Sequence, residues 1–253
     1  MRAHEAIRVV PVHHPKPRVR ISNKRAAAPV KAKLTYRGGP LIETAEVFTV
    51  FWGKSWGTAG ALKALTAPID KFFADILVSP LIDQLSEYNV EGKKIGHGQF
   101  IGSKVITAGV PAASVTDSAI QTALQKWITA GTVPTNNANS LYFIFLEEGV
   151  TSVMGGSRSC QSYCGYHNNV GDIYYAAMPY PGCSGCSGGL DVLNALTGTS
   201  SHELCEAITD PVPGTGWYDD AQGEIGDICA WQFKQMGSHT IQLEWSNSGK
   251  KCG

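Results

Sequence analysis

The sequence predicts a single mixed α/β (α+β) domain with a central mixed sheet. Along the chain, segments with the apolar pattern of strands alternate with segments whose apolar residues recur at helical spacing. A chain of 253 residues is long enough to bury one sizeable core. Its composition, 43% hydrophobic and 17% charged, is typical of a globular protein and excludes a disordered chain. We therefore expect one folded domain over residues 35–253, preceded by an arm at residues 1–34.

The first predicted elements after the arm are a strand, a helical stretch and a second strand. EVFTVFWG (46–53) is apolar and rich in β-favouring residues, which predicts a central strand. Residues 58–88 have a helical pattern, but Pro68 and Pro80 interrupt it, so we expect two or three short helices. FIGSKVITAG (100–109) is typical of a further strand.

Two helices and three strands are predicted in the remainder of the chain. TDSAIQTALQKWITAG is strongly amphipathic, with Thr116 or Asp117 suited to cap its start and Gly131 to end it. The helical pattern returns at residues 188–210 and stops before Pro211. The remaining predicted strands are 140–149, 172–180 and 239–247.

The formal net charge of zero hides an asymmetry between the arm and the rest. Residues 1–40 hold ten Lys or Arg and one acid, whereas the remaining residues hold 11 basic and 20 acidic side chains. A basic arm can direct a protein to nucleic acid. A segment rich in Pro, Ala, Lys and Arg is more often a solvated leader, so we expect a flexible arm and treat nucleic acid as the weakest alternative partner.

The cysteines bear on the compartment. All seven lie in the C-terminal part of the chain, which favours disulfides and an oxidising environment. The N-terminus lacks the ~7–15 apolar residues of a secretory signal, and no segment approaches the ~18 apolar residues that span a membrane. We expect a secreted or periplasmic protein without a membrane span, although no signal peptide is visible in the sequence.

The spacing of the cysteines predicts three disulfides and one thiol. The expected pairs are Cys229–Cys252, Cys183–Cys186 and Cys160–Cys164. Cys205 lies within the second helical segment and is expected to be the odd thiol, packed in the core. The alternative for the C-x-x-x-C and C-x-x-C spacings is a structural zinc ion.

The segment SHELCEAITDP (201–211) carries the strongest chemical signal. On a helix, His202 and Glu206 share one face and can bind one metal ion together. Glu203 would lie beside that ion, where the general base for a metal-bound water has to be. This is the arrangement of the H-E-x-x-H metalloproteases with glutamate in place of the second histidine. Because H-E-x-x-E is short, chance occurrence in a helix is the competing interpretation.

A third metal ligand is expected from the acidic segment just downstream. Glu224 in GEIGD is the first candidate, with Asp227 close behind and Asp210 third. The glycines of GEIGD let the backbone turn tightly and bring both acids to one side. An imidazole among the ligands favours zinc, whereas the many carboxylates make calcium the alternative.

Two further residues are candidates for contact with the substrate. Tyr218 or His167 could stabilise an oxyanion during acyl transfer, which makes Tyr218 a candidate catalytic residue. His167, in CGYH, is a candidate substrate-binding residue, a further ligand or an ordinary hydrogen-bonded loop histidine. The sequence has no G-x-S-x-G nucleophile motif.

The C-terminal half resembles a group of bacterial secreted proteins. The shared blocks are CGYH (164–167), MPYPGC (178–183), SSHELCEAITDP (200–211), GEIGDIC (223–229) and WSN…C (245–252). YRGGPLI (36–42) and FTVFWGKSW (48–56) are similar to the opening of the plant phosphate-induced (EXORDIUM-like) proteins. The plant pattern lacks H-E-x-x-E, so no growth-related role is implied.

The candidate site also resembles that of the zincin metallopeptidases, in which the metal-binding helix lies beneath an edge strand that binds the substrate backbone. This resemblance implies a zincin-like domain in which His202 and Glu206 are ligands, Glu203 is the base and Glu224 is the downstream acidic ligand. A glutamate at position 206 adds negative charge to the metal and makes bound water less acidic than a second histidine would. The resemblance therefore implies activity at a higher pH or no activity.

Together these observations predict a monomeric zinc-dependent peptidase or related hydrolase that acts on a peptide or protein substrate. The alternative is a non-enzymatic secreted or cell-wall-associated protein whose carboxylates hold calcium or zinc for stability. The two differ in Glu203, which is essential to a hydrolase and nearly silent in a structural site.

Overall fold

The computed structural model describes residues 9–13 and 32–253. The strands are β1 (Val9–Pro11), β2 (Thr35–Tyr36), β3 (Glu46–Trp52), β4 (Gln99–Ile106), β5 (Ser114–Thr116), β6 (Ser140–Leu146), β7 (Thr151–Met154), β8 (Ser157–Arg158), β9 (Tyr163–Val170), β10 (Ile173–Met178), β11 (Trp217–Tyr218), β12 (Phe233–Met236), β13 (His239–Gln242), β14 (Trp245–Ser246) and β15 (Lys251–Cys252). The α-helices are α1 (Lys54–Gly57), α2 (Ala61–Ile76), α3 (Pro80–Leu85), α4 (Asp117–Thr129), α5 (Ser184–Ser187) and α6 (Val192–Thr209).

A six-stranded mixed sheet forms the centre of the fold, in the order β1-β9-β10-β6-β3-β4. Strands β10, β6, β3 and β4 run parallel to one another, whereas β9 is antiparallel to β10 and β1 is antiparallel to β9. The predicted mixed α/β fold with a central mixed sheet is confirmed.

The two faces of the sheet bury separate apolar clusters. On one face, Phe143 and Phe145 of β6 pack with Phe73 of α2 and Leu204 of α6. On the other face, residues of β3 and β6 pack against α4 through Leu124 and its neighbours. Because β6 is buried on both faces, it is continuously apolar rather than alternating, as is usual for interior parallel strands. The sheet is therefore the middle layer of three.

The helices agree with the sequence pattern except at one proline. Thr116 caps α4 by accepting a hydrogen bond from the Ala119 N–H, as predicted. Pro80 begins α3 at a position where no backbone N–H is needed. Pro68, in contrast, lies inside α2, which continues through it for 16 residues. The prediction of a break at Pro68 is wrong because the apolar face of α2, buried at Phe72 among others, outweighs one lost hydrogen bond.

The N-terminal segment departs from the predicted flexible arm at residues 9–13. Val10 is only 2% exposed and faces Gly165 in the antiparallel pair of β1 with β9. The His13 N–H and the Pro11 carbonyl are also bound, to Gly185 and to the Trp231 indole. These residues are therefore part of the sheet. Residues 1–8 and 14–31 of the predicted arm lie outside the described residues.

Three disulfides are present, but two of the expected pairings are wrong. The pairs are Cys160–Cys183, Cys164–Cys186 and Cys229–Cys252, and only the last was expected. The first two join the start of β9 to the α5 region in parallel, because Cys183 and Cys186 at α5 both face the β9 end of the sheet, where Cys160 precedes the strand and Cys164 lies on it. Cys205 is a buried free thiol, as predicted.

The disulfides agree with folding in an oxidising compartment, as expected of a protein that is exported. Within residues 9–13 and 32–253, the helices are too short or too polar to cross a membrane. The disulfides match the coarser part of the predicted localisation.

Candidate metal centre

Helix α6 carries the H-E-x-x-E segment into the interior. Its start is capped by Asp191, whose side chain accepts a hydrogen bond from the Asn194 N–H. Beyond its first turn the helix is buried on all sides, in contact with β9, β10 and β13. The side chains of His202, Glu203 and Glu206 are fully buried, so their polar atoms must find partners inside the protein.

His202 and Glu206 approach each other as the helical spacing predicts. The His202 Nε2 lies 2.8 Å from Glu206 Oε1 and 3.9 Å from Asp227 Oδ1. Despite this short distance, Nε2 has no hydrogen-bond partner within the described residues. These three side chains could hold a metal ion together.

His167 joins the same centre from β9, a strand rather than the expected loop. Its Nδ1 lies 3.2 Å from Glu203 Oε2 and 3.5 Å from Glu206 Oε2. The close approach of α6 to β9 depends on Gly165, where a Cβ would lie 2.7 Å from Thr199. His167, Glu203 and Glu206 form a second group able to hold a metal ion.

The downstream acids that the sequence singled out also reach this centre. Glu224 is fully buried, with its Oε1 3.5 Å from His167 Nε2. Asp227 faces His202, and its backbone N–H donates to Glu206 Oε1 at 3.1 Å. Asp210 instead accepts hydrogen bonds from the backbone N–H groups of residues 214, 215 and 216, and so orients the turn after α6. We refer to His167, His202, Glu203, Glu206, Glu224 and Asp227 as the cluster.

Tyr218 is placed by a small two-stranded sheet. It lies on β11, which pairs with β2, and the guanidinium of Arg37 is 4.5 Å from the centre of its ring. Its proposed part in oxyanion stabilisation stays a prediction, as does substrate binding by His167.

Two residues at the centre were missed by sequence reasoning. Gln242, on β13, donates from Nε2 to His202 Nδ1 at 2.8 Å and to the Gly226 carbonyl at 3.0 Å, while its Oε1 accepts from the Trp231 N–H. The two backbone partners fix the orientation of this amide. Glu244 is fully buried nearby, and neither of its carboxyl oxygens has a hydrogen-bond partner in the described part of the chain.

Gln242 sets the proton position on His202. An amide N–H can only donate, so Nδ1 accepts and the neutral imidazole carries its proton on Nε2. Binding of a metal ion at Nε2 requires the proton to move to Nδ1 and the Gln242 amide to turn its oxygen toward it. This link gives the orientation of Gln242 direct control over metal binding at His202.

Burial and mutual repulsion perturb the ionisation of the whole cluster. Burial, Glu206 and other neighbouring acids raise the pKa of Glu224 and Asp227 well above the usual range. For Glu206, burial is outweighed by His202 and His167, which hold its pKa at about 2. Burial opposes charging of His167, but Glu203 and Glu206 outweigh it and raise the pKa of the imidazole to about 10. Such shifts occur where carboxylates share a dry site with too few cations.

The donor set of the cluster fits a divalent cation. Glu203 Oε1, Glu206 Oε2 and both Glu224 carboxyl oxygens are buried without a hydrogen-bond partner among the described residues. Buried charges are normally paired or bound to metals because their desolvation is costly. Imidazole nitrogen with carboxylate oxygen is a donor combination suited to zinc and to other transition metals.

Comparisons with protein-family models, with curated proteins and with solved structures found no match for the chain. The similarity to zincin metallopeptidases and to EXORDIUM-like proteins therefore stays a prediction. What supports a function is the arrangement of the cluster itself.

Gly226 offers a test of the packing around His202. A Cβ on Gly226 would lie 2.8 Å from the His202 ring, although the backbone there, with φ −79°, accepts any residue. Gly226→Ala is expected to displace the ring and to weaken zinc binding at least roughly tenfold, a loss of about 1.4 kcal/mol, measured by competition with a chelator. Gly96→Ala is the control because nothing lies within 4 Å of its Cβ. Equal zinc affinity in both variants would show that His202 is not a ligand.

Proposed function

We propose that the protein is a metal-dependent hydrolase, with zinc as the preferred cation and a peptide or protein as substrate. His202, Glu206 and Asp227 would hold the ion, with Glu224 as a further acidic neighbour. The observation that carries the proposal is the position of Glu203. It is adjacent to His202 on α6, its Oε2 is held by His167 at 3.2 Å, and its Oε1 has no hydrogen-bond partner in the described residues.

The ion, Glu203 and His167 would have separate roles in hydrolysis. A zinc ion at this site would supply a water of lowered pKa and would polarise the substrate carbonyl. Glu203 Oε1 would accept the proton of the attacking water and return it to the leaving amine. His167 holds the Glu203 carboxylate in place. Burial favours this role, since it raises the pKa of Glu203 and makes the carboxylate a stronger base at neutral pH.

A second candidate is a structural cation in a protein without hydrolytic activity. The observation that favours it is the complete burial of five of the six side chains of the cluster, with the Asp227 side chain 6% exposed. Structural metal sites are closed, whereas catalytic sites keep one position open to water. Access of a substrate would require the protein to open around α6.

The experiment that tests the proposal combines metal content with activity. We expect plasma mass spectrometry to find bound zinc in wild-type protein and less in His202→Ala, and a peptide library to be cleaved only by the wild type. Calcium alone, or no metal in either protein, would exclude the hydrolase. Metal with no cleavage, together with a lowered melting temperature in His202→Ala, would favour the structural site.

A further inference from the structure

His167 directs one ring nitrogen, Nδ1, at two carboxylates. Its Nε2 lies 3.1 Å from the Asp210 carbonyl oxygen, which can only accept, so Nε2 is the protonated nitrogen. When the ring is neutral, as metal binding requires, Nδ1 is therefore the nitrogen without a proton, and it faces oxygens of Glu203 and Glu206. Metal-binding histidines show this arrangement, with one nitrogen bound to a backbone carbonyl and the other directed at the ion. The hydrogen bond from Nε2 to the Asp210 carbonyl therefore leaves His167 oriented to bind a metal through Nδ1. His202 can bind through Nε2 only if the amide of Gln242 turns.

The spacing of these three donors suits one metal ion. Donors bound to a tetrahedral ion at about 2.0–2.2 Å lie about 3.3–3.6 Å from one another. The distances from His167 Nδ1 to Glu203 Oε2 and to Glu206 Oε2 are 3.2 and 3.5 Å. All three side chains are fully buried, and Glu206 Oε2 has no hydrogen-bond partner among the described residues.

The two oxygens of Glu206 face different histidines. Oε1 lies 2.8 Å from His202 Nε2, and Oε2 lies 3.5 Å from His167 Nδ1. The two groups of candidate ligands therefore share one residue, Glu206, through separate atoms. A carboxylate in this position can bridge two ions, and paired ions about 3.5–4 Å apart occur in many hydrolases.

We propose that His167, Glu203 and Glu206 form a second divalent-cation position, joined to the first through the Glu206 carboxylate. The inference rests on the proposed metal site and extends it from one ion to two. Glu203 binds through Oε2 and keeps Oε1 available to accept a proton. A second ion also offsets the charge of the buried acids, which outnumber the two imidazoles. Within residues 9–13 and 32–253, no Lys or Arg side chain is buried among them.

The test is the number of ions bound by untagged full-length protein. Protein loaded with Zn²⁺ and dialysed is analysed for metal per chain, and Mn²⁺-loaded protein is examined by electron paramagnetic resonance. We expect two zinc ions in the wild type, one in His167→Ala, and the spectrum of a magnetically coupled manganese pair in the wild type alone. His239→Ala is the matched control, since His239 pairs with Asp75 away from the cluster and should retain two ions.

The outcomes separate this inference from the proposed function. One zinc ion in the wild type, or two in His167→Ala, would overturn the second position even if peptides are cleaved. Two ions with a coupled manganese spectrum and no cleavage would uphold the pair and reject the hydrolase. If His167→Ala does not fold, His167→Gln and the wild-type manganese spectrum still decide the question.

Discussion

Glu203→Gln is expected to lower kcat/KM for peptide hydrolysis by roughly 10²–10⁴-fold, the range that a general base contributes. Glutamine has nearly the same shape as glutamate but cannot accept the proton of the attacking water. His202, Glu206 and Asp227 are untouched, so an ion at their position should remain, whereas the second position would lose the carboxylate of Glu203. Because Glu203 is fully buried, the loss cannot be attributed to a change at the protein surface. The measurement is steady-state kinetics on a cleaved library peptide, with zinc content and melting temperature recorded for the same samples.

Glu244→Gln is the matched control for this result. Glu244 is equally buried, and burial raises its pKa well above the usual range, which favours the neutral carboxyl group that glutamine resembles. We expect Glu244→Gln to keep activity. If the two variants lose activity equally, the effect is structural and Glu203 is not the base.

The second large effect is a difference in stability between metal-free and metal-loaded protein that grows with pH. In the metal-free protein, the pKa of His167 is raised from 6.5 to about 10. Its contribution to stability is therefore complete below pH 6.5 and is lost as the pH rises toward 10. The acids whose pKa values are raised act in the same direction. A bound ion offsets this loss of stability with rising pH. Its ligands must be deprotonated to bind it, and its positive charge then takes the place of the protons.

Between pH 6.5 and 9, His167 alone should cost the metal-free protein about 3 kcal/mol, roughly 10 °C in melting temperature. Thermal unfolding of chelated and zinc-loaded samples across this range measures the difference. In His167→Gln the metal-free curve should be flatter. No difference at any pH would show that no cation binds at the cluster, and a difference that does not grow with pH would show that binding does not displace the protons of these residues.

Local features of this fold could be predicted from sequence, and long-range ones could not. The start of α4 at Thr116 and the shared face of His202 and Glu206 follow from neighbouring residues. The disulfide partners of Cys160 and Cys164 depend on where a later segment packs. The helix through Pro68 likewise depends on tertiary burial that no local pattern contains.

The same division applies to the metal centre. Glu224 and Asp227 were expected because they follow α6 closely and are flanked by glycines, and the structure brings both to the cluster. The contribution of His167 as a donor depends on the packing of β9 against α6, which the sequence does not show. Gln242 had no signal at all, since a glutamine in a strand of alternating pattern is ordinary.

The position of β1 at the edge of the sheet has a consequence for the order of folding. Residues 9–11 leave the ribosome early, yet their partner is β9, where Val9 faces Tyr166. The pair cannot form until β9 has been synthesised, so β1 must wait unpaired while most of the sheet is made. β9, in turn, exposes one row of backbone N–H and C=O groups until β1 arrives. The strand that carries His167 is thus completed by a segment that was synthesised well before it.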